Sequence, residues 1–202
     1  MRLKHYINEA KDIPWEQIKK DCQPFIKDLK DPKKMLYSGR KCQLTYIKKE
    51  IRKNRKPADT PIVIHNWLDD LFKKKFGYKL RSECLFVTAR KGIARAYGMP
   101  YVIIPIGKID MYHNTSVIDL YGTLDNEVLS LDYVDTHWQD TDNRNLELIT
   151  MFKEEAEKLV NTYKKISLTN VDKVEIMLRA KEYYGINADL VSSQDIFDKL
   201  KG

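Results

Sequence analysis

Asp125-Asn126-Glu127-Val128-Leu129 is the stretch on which the reading of the fold turns. Two acids one residue apart lead into an apolar pair, and that opening reads as the start of a strand running toward Val134. Its meaning comes from the segments before it. Met35 to Tyr37 is short and apolar and ends in Ser38-Gly39, a strand closed by a turn. Cys84-Leu85-Phe86-Val87-Thr88 reads as a second strand, followed by a short helix from Lys91 to Tyr97 that Gly98 and Pro100 end. Tyr101 to Ile109 is nearly continuous in apolar character and reads as a third strand; Asp110 to Asn114 reads as a loop and Val117 to Tyr121 as a further strand.

Helical patterns flank this centre. In residues 1–34, Trp15, Ile18, Cys22, Phe25, Ile26 and Leu29 recur at three- and four-residue steps, with a break expected at Pro24. Asp59-Thr60-Pro61 is a helix start. Ile64, Leu68, Leu71, Phe72 and Phe76 then form an apolar stripe that Gly77 ends. Leu146, Ile149, Phe152, Ala156, Leu159, Val160 and Tyr163 share one face of a helix over 145–165. The tail from Val171 to Leu200 reads as two further helical pieces split at Gly185, the last capped by Ser192 or Ser193. The class expected is α+β, with a mixed sheet from about 35 to 135 flanked by helices. The expected division is a domain over residues 1–143, N-terminal helices included, and a helical extension over 144–202 packed on it.

A chain of 202 residues, 43% of them hydrophobic, is long and apolar enough for a packed core. It holds no apolar run that would span a membrane, and the start Met1-Arg2-Leu3-Lys4-His5 lacks the apolar region of a secretion signal. Cys22, Cys42 and Cys84 form neither a disulfide framework nor a metal pattern, so reduced thiols in the cytoplasm are expected. His65, His113 and His137 are scattered without metal-ligand spacing. The net charge of +7 admits an acidic partner. The run Lys48-Lys49-Glu50-Ile51-Arg52-Lys53-Asn54-Arg55-Lys56 reads as an exposed basic loop. It is either a solvated loop or a contact for nucleic acid or a host protein, and it has no interleaved aromatics for stacking on bases.

The order of these pieces resembles the ADP-ribosyltransferase superfamily over about residues 35–135, in the manner of small mono-ADP-ribosyltransferases of bacteria and their phages. Leu36-Tyr37-Ser38-Gly39 resembles the first family strand, usually Tyr-Arg-Gly or Trp-His-Gly. Phe86-Val87-Thr88 with Ala94 and Tyr97 resembles the second strand and its helix. Ile118-Asp119-Leu120 and Asp125-x-Glu127-Val128-Leu129 resemble the segment that opens the last conserved strand, Glu-x-Glu-Val-Leu. The resemblance implies a split sheet with NAD as substrate. Breaking the bond between ribose and nicotinamide passes through an oxocarbenium-like state, which a carboxylate beside the sugar stabilises.

On that reading Glu127 is the catalytic carboxylate and Asp125 orients the acceptor; on its own, Asp125 reads equally as a turn residue. Tyr37, Ser38, Gly39, Arg40, Phe86, Thr88 and Tyr97 line the cofactor site, with Arg40 ahead of Arg81 and Arg90 as the pyrophosphate ligand. Tyr97 is either a nicotinamide stacker or a core aromatic, and Phe86 reads more readily as core. Ser38 stands where the family carries Arg or His, and Asp125 where it carries Glu. The function implied is transfer of ADP-ribose from NAD to a host protein or a nucleic-acid acceptor, in the host cytoplasm if the chain is phage-encoded. The alternatives are an inactive, transferase-like basic binding module and an NAD-dependent phosphotransferase that removes a 2′-phosphate.

Overall fold

The computed structural model describes residues 13–56, 60–114, 119–171 and 175–202. In chain order it holds α1 (Trp15–Asp21), α2 (Gln23–Asp28), β1 (Leu36–Arg40), β2 (Tyr46–Glu50), α3 (Ile62–Phe76), α4 (Leu80–Glu83), β3 (Leu85–Val87) and α5 (Lys91–Ala96). There follow β4 (Met99–Ile106), β5 (Asp110–His113), α6 (Leu120–Thr123), a π-type turn over Leu124–Val128, α7 (Leu131–Thr136) and α8 (Asn143–Thr162). The chain closes with β6 (Lys164–Ile166), β7 (Ile176–Arg179), β8 (Glu182–Asn187) and α9 (Ser193–Lys201). The class is α+β, as expected, but the strands form two four-stranded antiparallel sheets, ordered β1-β4-β8-β2 and β3-β7-β5-β6.

Two compact units share the chain, and neither is continuous. The first takes the chain through Ile51, then Leu85–Met111 and Lys165–Gly202; the second takes Arg52–Cys84 and Tyr112–Lys164. The border expected at residue 143 instead falls where α8 begins, inside the second unit.

In the first unit β4 is the central strand. Its run Tyr101-Val102-Ile103-Ile104 is wholly buried, and strands pair with its backbone on both edges. Leu36 lies opposite Ile103 and Arg40 opposite Met99 on one side; Tyr101 lies opposite Asn187 and Ile106 opposite Glu182 on the other. The face that carries Tyr37, Gly39, Ile104 and Tyr184 is covered by helices. Cys22 of the α1–α2 break approaches the Ile104 carbonyl (3.7 Å), and Tyr184 Oη donates to Asp21 Oδ2 (2.9 Å). Burial pushes the Cys22 thiol up to about 12, so it acts as a small core side chain rather than a nucleophile.

In the second unit α3 packs against α8. Phe72 meets the Tyr163 ring edge-on (5.1 Å), and Trp67 lies between Trp138 (5.6 Å) and Phe152 (6.3 Å). Lys75 Nζ donates to the Val160, Asn161 and Tyr163 carbonyls, satisfying acceptors that the end of α8 leaves open.

Several expectations are corrected. Asp110 to His113 is a buried strand, not a loop; the Asp110 carboxylate is held by Lys165 and by Arg179 (3.5 Å). Residues 120–136 are helical turns, not strand. Asp119 caps α6 by accepting from the Tyr121 and Gly122 amides (3.2 and 3.4 Å), and Asp125 Oδ1 accepts from the Leu131 amide at the start of α7 (2.8 Å). Ile118 and the start of the strand expected at Val117 lie outside the described residues, as does Asp59 at the head of α3. The tail from Val171 holds two strands and one helix. Gly185 does not break a helix; it sits in mid-strand, where an added Cβ would come within 2.9 Å of Ile47 and 3.2 Å of Tyr101. The first residues of the basic run, Lys48 to Glu50, belong to β2 rather than to a loop. The helices over 15–28, 62–76, 91–96 and 143–162 and strands β3 and β4 fall where the sequence puts them; β1 does too at its start, but Ser38 and Gly39, expected as a turn, continue the strand to Arg40.

Candidate functional site

The strongest convergence of chemically useful groups lies in the first unit, where β1 of one sheet meets β3 of the other through a single bridge. The Tyr37 amide donates to the Thr88 carbonyl (2.7 Å) and the Thr88 amide to the Tyr37 carbonyl (2.9 Å). One residue on, Ser38 Oγ donates to the Phe86 carbonyl (3.0 Å). The two sheets are joined at this bridge, Tyr37 on β1 and Thr88 just past β3. Tyr37, Ser38 and Thr88 are buried there, and Phe86 is half-buried.

The walls are set by short-range geometry. Thr88 Oγ1 accepts from the Arg90 amide (3.1 Å), fixing the turn into α5. Gly39 lets α5 lie against β1: a Cβ there would run into the Ala94 carbonyl oxygen and come within 2.8 Å of Tyr97 Cβ. Gly98, at φ +134°, packs in turn on the Arg40 carbonyl, 2.8 Å from where its Cβ would stand. Tyr37 Oη shares a hydrogen bond with Ser193 Oγ at the start of α9 (2.6 Å). The Arg40 guanidinium lies over the Tyr183 ring, 5.3 Å from its centroid, on the face that Gly185 leaves open.

Two glutamates directly precede or open strands of the first unit, Glu175 at β7 and Glu182 at β8. β7 runs antiparallel to β3 with Leu85 opposite Leu178 and Val87 opposite Ile176. Glu175 stands one position before the last pair of that register, Val87 with Ile176. Glu175 is half-buried and immediately precedes β7, so it is a glutamate that opens a strand. Glu182 opens β8 but stands opposite Ile106 and Glu50, at the other end of β4 from Arg40.

The remaining sequence candidates lie as follows. Tyr97 caps α5 with its side chain 66% exposed. Arg90 is exposed near the bridge. Arg81 is buried in the second unit, donating to Thr60 Oγ1 (2.9 Å). Asp125 and the backbone of Glu127 belong to the π-type turn of the second unit, and the Glu127 side chain lies outside the described residues. The structure thus brings Tyr37, Ser38, Gly39, Arg40, Phe86, Thr88 and Tyr97 into one unit and puts Asp125 and Glu127 in the other. The basic run is divided too: Lys48 and Lys49 are exposed on β2, an edge strand, and Arg52 to Lys56 are exposed in the second unit.

The second unit has its own buried polar cluster. Asp69 accepts from the Arg81 amide (2.8 Å), the Ser82 amide (3.3 Å) and the Ser82 hydroxyl, and His65 Nε2 lies 3.0 Å from Ser82 Oγ. Burial holds His65 below its ordinary value; Arg81 and Arg55 add to the effect and Asp69 opposes it. Ser82 is held by Asp69 and His65 together within α4, so the cluster fixes α4 against α3 rather than freeing a nucleophile. Among the described residues no group of three or more His, Cys, Asp or Glu side chains is placed to hold a metal ion, and no helix is long and apolar enough to cross a membrane.

Comparison with protein-family models, with curated proteins and with solved structures finds no match to this chain.

Proposed function

We propose that the chain is an ADP-ribosyltransferase that takes NAD at the junction of its two sheets, with Glu175 as the carboxylate beside the ribose. One observation carries this reading. The Tyr37–Thr88 bridge brings an aromatic and a hydroxyl together where β1 meets the end of β3, and Glu175 comes directly before Ile176, the partner of Val87 in β3. A split sheet with a glutamate opening one of its strands is what the resemblance asks for, and the segment 124–128 is helical.

The chemistry follows from the charges involved. As the bond between C1′ of the ribose and the nicotinamide nitrogen breaks, the electron pair leaves with neutral nicotinamide and positive charge builds on C1′ and the ring oxygen. Glu175 stabilises that charge and accepts a hydrogen bond from a ribose hydroxyl. A nucleophile on the acceptor then attacks C1′ and gives up its proton. Arg40, the cation expected at the pyrophosphate, lies over Tyr183 on the face of the sheet opposite to the one that carries Tyr37. Ser38 supplies no charge, since its hydroxyl is directed to the Phe86 carbonyl. That feature favours the second reading, a transferase-like binding module without activity.

The test is release of nicotinamide from NAD by the full chain, with Glu175→Gln and Glu127→Gln compared. Release that needs Glu175 supports the reading. Release that needs Glu127 instead returns the catalytic role to that residue. No release from any of the proteins, in cell extract or in buffer, leaves the binding module.

A further inference from the structure

The first sheet, β1-β4-β8-β2, has two edges, and they differ. β1 is joined to the second sheet through Thr88. Among the described residues β2 pairs with β8 alone. Two backbone bonds just beyond its ends fix the phase of that pairing. The Asn187 amide donates to the Thr45 carbonyl (2.9 Å), and the Ile51 amide to the Lys181 carbonyl (3.0 Å). Bonded pairs alternate along an antiparallel ladder, so Ile47 and Lys49 turn their backbone groups to β8. Tyr46, Lys48 and Glu50 turn theirs outward, each with one amide and one carbonyl. Among the described residues no backbone bond reaches them. An edge that alternates donors and acceptors is completed by another strand; a phosphate backbone offers acceptors alone.

The side chains of that edge are self-complementary. Lys48 and Glu50 share one side of the strand. Lys48 Nζ lies 3.6 Å from Asp21 Oδ2 and 5.2 Å from the centre of the Tyr184 ring, and its side chain is still 45% exposed. Glu50 is exposed and stands directly opposite Glu182 of β8, in one of the closer, non-bonded pairs of the ladder. Like charges so placed destabilise a sheet, and a cation brought to them from outside relieves the cost. A second β2 laid antiparallel on the first must match outward groups with outward groups, which leaves few registers. Centred on Lys48 or on Glu50, like charges meet. Centred on Tyr46 or on Ile47, Glu50 runs past the end of the partner strand. Centred on Lys49, Lys48 lies against Glu50 twice, by symmetry, and Ile47 against Ile51. The cost of that last register is Lys49 against itself at the axis. Edge lysines ordinarily deter a second strand. Here the one self-opposed lysine is flanked on both sides by a Lys–Glu pair.

We propose that the β2 edge is a homodimer contact, at which two copies of the chain join antiparallel about Lys49 and continue one sheet across the pair. The Lys48 ammonium of each copy then stands against Glu50 of the other, supplying the cation that the Glu50–Glu182 pair lacks. β8 and β4 lie between β2 and β1, so the contact is independent of the NAD site.

The experiment is sedimentation equilibrium of the full chain over rising concentration, without NAD. The parent is expected to form a weak dimer and nothing larger, since a two-fold contact closes on itself. Lys48→Glu and Glu50→Lys are each expected to weaken it by about tenfold, because each turns two attractive pairs into repulsive ones. Mixed together, these two variants are expected to associate at least as well as the parent, since each supplies the charge that the other lacks. Lys49→Thr should tighten the dimer by removing the like charge at the axis. Glu50→Pro takes away an outward amide and leaves the bonds to β8 in place; it should abolish a dimer that Glu50→Gln only weakens. Unchanged circular dichroism in each variant separates loss of contact from loss of fold. Glu50→Lys also removes the like-charge pair with Glu182, so it should fold at least as stably as the parent. The proposal is overturned by a chain that stays monomeric up to about 1 mM, or by association that grows past a dimer. It is equally overturned by a dimer that Glu50→Lys and Glu50→Pro leave intact. Lys48 and Glu50 amides that resist hydrogen exchange in the dilute monomer would also sink it, since another part of the chain would then hold this edge.

Discussion

Two stretches of this chain carry nearly the same local pattern, a glutamate followed by a β-branched residue and a longer apolar one. Glu127-Val128-Leu129 ends a π-type turn in the second unit, while Glu175-Ile176-Met177 opens β7 in the first. Nothing in three residues tells them apart. The difference comes from their neighbours. Upstream of Glu127, Asp119 caps a helical turn, and Asp125 spends its carboxylate on the amide that starts the next one. Downstream of Glu175, the Arg-Ala-Lys-Glu segment returns the chain as β8, while Leu85 to Val87 of β3 lie alongside as hydrogen-bonding partners. A strand exists where another strand waits for it; a helix can be specified from within its own sequence.

The sharpest way to break this comparison is to neutralise each glutamate. Glu175→Gln is expected to lower nicotinamide release by about 100- to 1000-fold, the usual loss when one transition-state contact is removed, while Glu127→Gln leaves it in place. A colorimetric or chromatographic nicotinamide assay reads both. The reverse outcome would restore the helical segment as the active one.

A second pair of substitutions tests the packing around each stretch. Gly39→Ala forces a methyl into the Ala94 carbonyl and Tyr97, and is expected to destabilise by ~1–3 kcal/mol as overpacking of backbone against backbone. Gly122→Ala, in the helical turn before Glu127, meets nothing nearer than the Asp119 carboxylate at 3.5 Å and should gain ~0.5–1 kcal/mol from helix propensity. Urea midpoints of the two variants should therefore move in opposite directions.

Removing the cap sharpens the contrast further. Asp119→Ala is expected to cost ~1 kcal/mol and to reduce helical circular dichroism, because the Tyr121 and Gly122 amides lose their acceptor. No loss of helicity would mean that the 120–128 turns are held by packing instead.

The smallest effect is a pH dependence from the second unit. His65 titrates lower in the folded chain than its ordinary value of 6.5. Below that pH the unfolded chain takes up a proton that the folded chain refuses. Stability from this group is therefore complete above about pH 6.5 and is lost as pH falls toward the depressed folded value. Asp69, Ser82, Arg81 and Arg55 are the groups that face the ring. Urea midpoints from about pH 8 to 5 should decline, and His65→Gln should remove part of that decline. A rise on acidification would reverse the assignment.

The sequence by itself determined the helices whose apolar residues recur at three and four, α3 and α8 above all, and the strands β3 and β4, together with the start of β1. The resemblance named Tyr37, Ser38, Gly39 and Thr88, and the structure sets all four at the meeting of β1 and β3. The strands that follow Glu175 were legible only in part. Val171 to Leu200 reads as helix by its spacing, although Ile176-Met177-Leu178 and Tyr183-Tyr184-Gly185-Ile186 on either side of a short polar break also form a hairpin signal. Tertiary structure alone decided that these residues pair with β3 and β4, that Gly185 is a point of close approach, and that Asp110 to His113 is a strand. The physical reason is range. A helix closes its hydrogen bonds within four residues, while β8 finds partners more than 75 positions away in β4, and no local window of sequence contains both.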